Sequence, residues 1–156
     1  MISLIKMDKR IEQHPRDIFD TSRMLDSPGY SAEIHSGFLF CLLSSKRPIH
    51  EILDPGYVNQ QAVLESQFSG MTDVEFTYEM YKAERLRLLS TVIAHLKADD
   101  KVLLNSFAAG DPIWHDRDLS IFPGIRWKLM NIRRLKTINK QKFKQQLEQL
   151  EKVLNH

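Results

Sequence analysis

The spacing of its apolar residues constrains this chain more than any other feature. They recur three and four positions apart along most of the sequence, and no run alternates Val, Ile or Thr with polar residues. That spacing lines one face of a helix, whereas a half-buried strand needs a period of two. The best-marked segment opens on Thr72 and Glu75, a T-x-x-E capping pair. It continues with a stripe of Tyr78, Tyr81, Leu88, Leu89, Val92, Ile93 and Leu96. The pattern predicts a helix over 73–97.

The remaining segments are bounded by ordinary start and stop signals. Pro15 suits a first helical position, where its missing N–H costs nothing, and opens a helix expected over 15–25 before Ser27-Pro28-Gly29. Ser31 caps a second over 31–43, with Ile34, Phe38, Leu39 and Leu42 on one face. A short turn at 49–53 and a helix at 57–68 follow, the latter closed by Ser69-Gly70. Helices are further expected over 99–108, 124–136 and 140–154, the last capped by Asn139. The fold expected is all-α, a multi-helix bundle of about seven helices. It reads as a single helical domain, with 1–13 as lead-in and 122–156 as a basic helical hairpin.

At 156 residues the chain buries enough surface to fold without a disulfide or a metal. Cys41 is the only cysteine, which excludes an intramolecular disulfide and a Cys-based zinc site and suits a reducing, cytoplasmic compartment. The longest apolar stretch, Gly37 to Leu43, is far short of the roughly 20 residues of a membrane span. The opening MISLIKMDKR lacks the apolar region of a signal peptide, so no membrane partner is expected.

Net charge is +2, but it is unevenly placed: from Phe122 onward nine Lys/Arg face two Asp/Glu. A basic end on an acidic body points to a polyanion, or equally to a solvated face that complements that body. Arg126, Lys128, Arg133, Arg134, Lys136, Lys140, Lys142 and Lys144 are the candidates for phosphate contact. Trp127 lies among them. It can stack a base, but a large aromatic more often anchors a core, and the core role is the expected one.

The densest polar cluster is His14-Pro15-Arg16-Asp17-x-x-Asp20. Asp17 and Asp20 are three apart on one helix face, and Arg16 and Asp20 are four apart. The pair can hold a cation, orient a lysine or act as a base; it can equally be a capped helix start with local ion pairs. None of the six histidines forms a ligand pair with recognisable spacing, so no metal site is expected from them. Asp116-Arg117-Asp118 has the D-x-D spacing of a nucleotidyltransferase metal site, but it lies in a loop without a preceding Gly-Ser turn. No P-loop, G-x-G-x-x-G or G-x-S-x-G occurs.

Five segments in order are HPRDIFD at 14–20, KRPIHEIL at 46–53, FSGMT at 68–72, FAAGDPIW at 107–114 and PGIRWKLMNIRRLK at 123–136. The series resembles the C-terminal half of the AbiEii/AbiGii-type nucleotidyltransferase toxins of bacterial type IV toxin–antitoxin (abortive infection) systems. The resemblance implies nucleotide transfer from an NTP, in some relatives to the acceptor end of tRNA. The family's site combines a Gly-Ser turn, a metal-binding D-x-D, a lysine and a later R-D-x-x-D. Arg16, Asp17 and Asp20 correspond to the last element, with Lys6 the candidate lysine. The Gly-Ser turn and its D-x-D would lie before residue 1. The resemblance thus implies a chain inactive alone, with no cofactor of its own. Mg²⁺ and an NTP would bind only if a catalytic domain completed the site. The partners implied are a tRNA-like RNA and an N-terminal nucleotidyltransferase domain, with self-association where an apolar surface lacks that domain. A stand-alone helical RNA-binding or protein-interaction module without catalysis is the alternative.

Overall fold

A computed structural model describes residues 14–68, 70–115 and 118–155. The described residues are all-helical and contain no strand. The order is α1 (Pro15–Asp26), α2 (Ala32–Ser44), α3 (Ile49–Leu53), α4 (Gln61–Val63), α5 (Tyr78–His95), α6 (Ala98–Ala108), α7 (Pro123–Ile138) and α8 (Lys140–Asn155). A π-helical turn, Leu64–Phe68, continues α4, and a 3₁₀ turn, Leu119–Ile121, precedes α7. No described helix is long and apolar enough to cross a membrane.

The chain forms two compact units. Residues 14–38 and 56–94 belong to the first. Its core gathers Ile18, Leu64, Phe68, Phe76, Tyr81 and Leu88. Phe19, Phe68 and Phe76 meet pairwise at centroid distances of 5.1–5.6 Å, in the tilted and edge-on arrangements that ring quadrupoles favour. Pro15 is the first residue of α1, and the ring of His14 caps it by accepting from the Arg16 N–H at 3.2 Å.

The longest helix starts later than its sequence signal. Thr72 Oγ1 accepts from the Val74 N–H in a local turn, and α5 begins at Tyr78, where Thr77 Oγ1 accepts from the Met80 N–H. Phe76 explains the displacement: it is drawn into the core against Phe19 and Phe68. A continuous helix from Asp73 would fix its direction by the helical repeat instead. The helix expected over 57–68 likewise begins only at Gln61.

The second unit holds residues 39–55 and 95–155. In it α7 packs on α6 and α8, and α8 packs also on α3 and α6. Leu42, Leu43, Leu104, Phe107, Ile125, Leu150 and Leu154 are its most buried apolar residues. Pro123 opens α7, and Asn139 caps α8 by accepting from the Lys142 N–H at 3.0 Å. Gly124 lets the start of α7 approach the end of α2: a Cβ there would lie 3.3 Å from Ser44 Cβ.

Candidate nucleic-acid interface

One helical turn beyond Gly124, Lys128 sits on the same face of α7. It is only 6% exposed, and its Nζ donates to the Leu42 carbonyl at 2.7 Å. Leu42 is in the last turn of α2, where carbonyls lack an intrahelical partner, and α2 carries no basic residue of its own there. Burial pushes the Lys128 amine down to about 7. Lys128 is therefore not an exposed cation like its neighbours on α7: its Nζ is bound to the Leu42 carbonyl, and its side chain lines a cleft that Trp127 also lines.

Two further cations of α7 serve the end of α6. Gly110, at φ +92°, and the bonds Gly110 N–H to Phe107 O and Asp111 N–H to Ser106 O close α6 in a Schellman turn. Arg133 Nε donates to Gly110 O at 2.8 Å and Lys136 Nζ to Ala109 O at 3.1 Å, with the Asp111 carboxylate 3.8–3.9 Å from both. The half-exposed side chains of Arg133 and Lys136 keep a face toward water. Arg126 and Arg134 are exposed.

Trp127 reverses the expectation of a core anchor: it is 60% exposed. The helical repeat leaves it on the outer side because its neighbours Ile125, Lys128 and Leu129 face inward. The second tryptophan, Trp114, is the half-buried one, and packs edge-on to Phe107. Trp127 lines a cleft of about 320 Å³ together with Lys46, Lys128, Asn131, Lys142 and Gln146. Arg47 also reaches it, paired at 3.2 Å with Glu51. Among the described residues no carboxylate lines it. The chain matches no family model, no curated protein and no solved structure. Lys46, Asn131, Lys142 and Gln146 come together only through packing, and of these four only Lys142 was among the expected phosphate contacts.

The acidic candidates lie in the first unit, on α1. Arg16 Nε is 3.8 Å from Asp20 Oδ2, and both side chains are mostly exposed. Asp17 is half-buried, and its carbonyl accepts from Thr21 Oγ1 at 2.6 Å. These are the bonds of a capped helix start. Lys6, the candidate lysine, lies outside the described residues, as do Asp116 and Arg117. Asp118 caps the 3₁₀ turn by accepting from the Ser120 N–H at 2.7 Å, and hydrogen bonding from the Ser120 side chain and then its backbone holds the Asp118 carboxyl below its ordinary value. Among the described residues no three His, Cys, Asp or Glu side chains come together as metal ligands.

Proposed function

We propose that this chain is the RNA-engaging helical part of a nucleotidyltransferase-like toxin of the type IV toxin–antitoxin class, inactive alone. The reading rests on the ordered motif series from HPRDIFD to PGIRWKLMNIRRLK and on the surface just described. One observation carries the RNA part: the exposed cations Arg126, Arg134, Lys140 and Lys142 of α7 and α8, together with the exposed Trp127. Exposed cations attract phosphates without regard to sequence, and an exposed indole stacks any base. Arg126, Arg134, Lys140 and Lys142 are the phosphate contacts in this reading. Arg133 and Lys136 contribute field from the end of α6.

Inactivity of the chain alone belongs to this reading: the sequence contains no Gly-Ser turn, and two-metal phosphoryl transfer needs ligands beyond Asp17 and Asp20. In a completed enzyme Arg16, Asp17, Asp20 and Lys6 would face the NTP supplied with a nucleotidyltransferase domain. A stand-alone interaction module is the second reading. The exposed Met130 and Ile138 on α7 favour it, because apolar side chains in water suit a protein partner.

Bulk tRNA binding followed by fluorescence anisotropy across a salt series tests the RNA reading. Affinity should fall steeply with salt, by a log–log slope of about −0.7 to −0.9 per phosphate contact. The Arg126→Glu, Arg134→Glu double variant should bind all RNAs more weakly, because phosphate contacts carry no sequence information. Absence of binding at low salt removes the reading. Incubation with labelled NTPs, Mg²⁺ and tRNA should give no incorporation; label lost on Asp17→Ala would establish a complete site in this chain.

A further inference from the structure

The cleft bounded by α7, α8 and the segment from Ser44 to His50 has properties beyond those of a basic surface. Its volume, about 320 Å³, lies at the small end of ligand pockets and suits one compact molecule, not a stretch of polymer. Its cations are three lysines, Lys46, Lys128 and Lys142, and the carboxylate-paired Arg47. Lysine ammoniums act on phosphate as point charges. The Lys128 ammonium carries three donors, and among the described residues its hydrogen-bond partner is the Leu42 carbonyl alone. An anion entering the cleft would meet the remaining donors in a medium of low dielectric, where a charge-assisted bond is strongest. Trp127 offers a π-face, and the amides of Asn131 and Gln146 offer paired donors and acceptors of the kind that read a base edge.

We infer that this cleft seats one nucleoside monophosphate unit, its base against Trp127 and its phosphate among Lys128, Lys142 and Lys46. The inference deepens the RNA reading and rests on it only for the source of the unit, which is either a free nucleotide or the phosphorylated end of an RNA. The cleft distinguishes this site from the open phosphate contacts of Arg126 and Arg134, which need no pocket.

Isothermal titration of the full chain with AMP, GMP, CMP and UMP, and with the matching nucleosides, tests it. Saturable one-to-one binding of a monophosphate is expected, weakened about tenfold or more when the phosphate is absent. Trp127→Leu and Lys142→Gln alter exposed side chains, so the fold should survive, and each should weaken binding about tenfold. Lys128→Met should abolish it, with circular dichroism reporting whether that variant folds. Competition distinguishes the sources: displacement of the nucleotide by a 5′-phosphorylated oligoribonucleotide, and not by its 5′-hydroxyl form, identifies an RNA end. Failure of either to displace it identifies a free nucleotide. If no monophosphate binds while tRNA does, the cleft inference falls and the RNA reading stands. Monophosphate binding without tRNA binding upholds the cleft and removes the RNA reading. If neither binds, both fall. Binding unchanged by Trp127→Leu and Lys142→Gln places the ligand elsewhere and overturns the inference.

Discussion

The Lys128 ammonium donates to the Leu42 carbonyl at 2.7 Å, closing the end of a helix 86 residues earlier in the chain. The same arrangement recurs in the second unit. Arg133 and Lys136 reach Gly110 and Ala109 at the end of α6, and Lys101 Nζ reaches Leu154 O at the end of α8. Neither α2 nor α6 carries a basic residue in its last turn. Helix C-termini present partial negative charge and unpaired carbonyls, which cations stabilise. Part of the basic excess after Phe122 is therefore internal complementarity supplied by α7, and only the remainder faces outward.

The buried amine makes stability depend on pH. Burial lowers the folded-state value of Lys128 to about 7, against an unfolded value of about 10.4. Between those values the unfolded chain holds more protons, so stability rises with pH; below pH 7 both states are protonated and the dependence ends. Lys128→Met should lack this contribution. Urea melts from pH 7 to pH 9 should show the wild type gaining on the variant by roughly 1 kcal/mol per pH unit. His50, held below its ordinary value chiefly by burial, titrates on the acid side of that window. Parallel stability curves for the two proteins would refute the assignment.

Trp127 and Phe107 should separate surface from core. Trp127→Ala should change stability by no more than about 0.5 kcal/mol, while weakening RNA binding by about 1–3 kcal/mol. Phe107, fully buried, should cost about 3–5 kcal/mol of stability on truncation to Ala. Thermal melts of both variants beside a binding titration check the contrast. A large loss of stability in Trp127→Ala would return that side chain to the core.

The helices and most of their ends were legible in the sequence because local spacing and local caps determine them. Pro15, Ser31 and Asn139 all act at the positions their types suggested. Legibility failed where a distant contact decided the outcome. Thr72 and Glu75 form a capping signal, yet the packing of Phe76 against Phe19 moves the start of α5 beyond it. Lys128 reads as one more surface cation because nothing near it in sequence indicates Leu42. Trp127 reads as core by residue type alone, although its position on α7 sets it outside. The cleft joins side chains from the segment after α2, from α7 and from α8, so no single stretch of sequence contains it.

The displaced start of α5 has its own test. Thr77→Ala removes the oxygen that caps the helix and should cost about 1 kcal/mol. Thr72→Ala removes a local turn bond only, and should cost less than half as much by chemical denaturation. The reverse ranking would mean that the capping box at Thr72 forms in solution.

Tyr81, wholly buried in the first unit, has its hydroxyl pushed up to about 12 by burial. An unfolded tyrosine ionises near pH 10, so the folded state binds more protons between the two values. Stability is present below pH 10 and falls as pH rises toward 12. Tyr81→Phe should flatten that alkaline decline. In a spectrophotometric titration of the wild type, one phenolate should appear only as the protein unfolds. Its appearance in the folded protein would exclude the buried placement.

Two glycines in different backbone conformations should respond with opposite signs. Gly110 holds φ at +92° at the end of α6, a region that costs an L residue roughly 1–2 kcal/mol. A Cβ there would stand 3.4 Å from Arg133 Cγ, an ordinary contact, so the strain is in the backbone and not in a clash. Gly37 lies inside α2, with no atom within 4 Å of where its Cβ would be. Alanine at Gly37 should therefore stabilise the protein by up to about 1 kcal/mol, by restricting the unfolded chain and raising helix propensity. Gly110→Ala should destabilise by about 1–2 kcal/mol and loosen the Arg133 and Lys136 contacts with the end of α6, which amide hydrogen exchange at Gly124 to Ile138 would register as faster opening. Equal and small effects at both positions would show that α6 does not end in the Schellman turn on which those two cations converge.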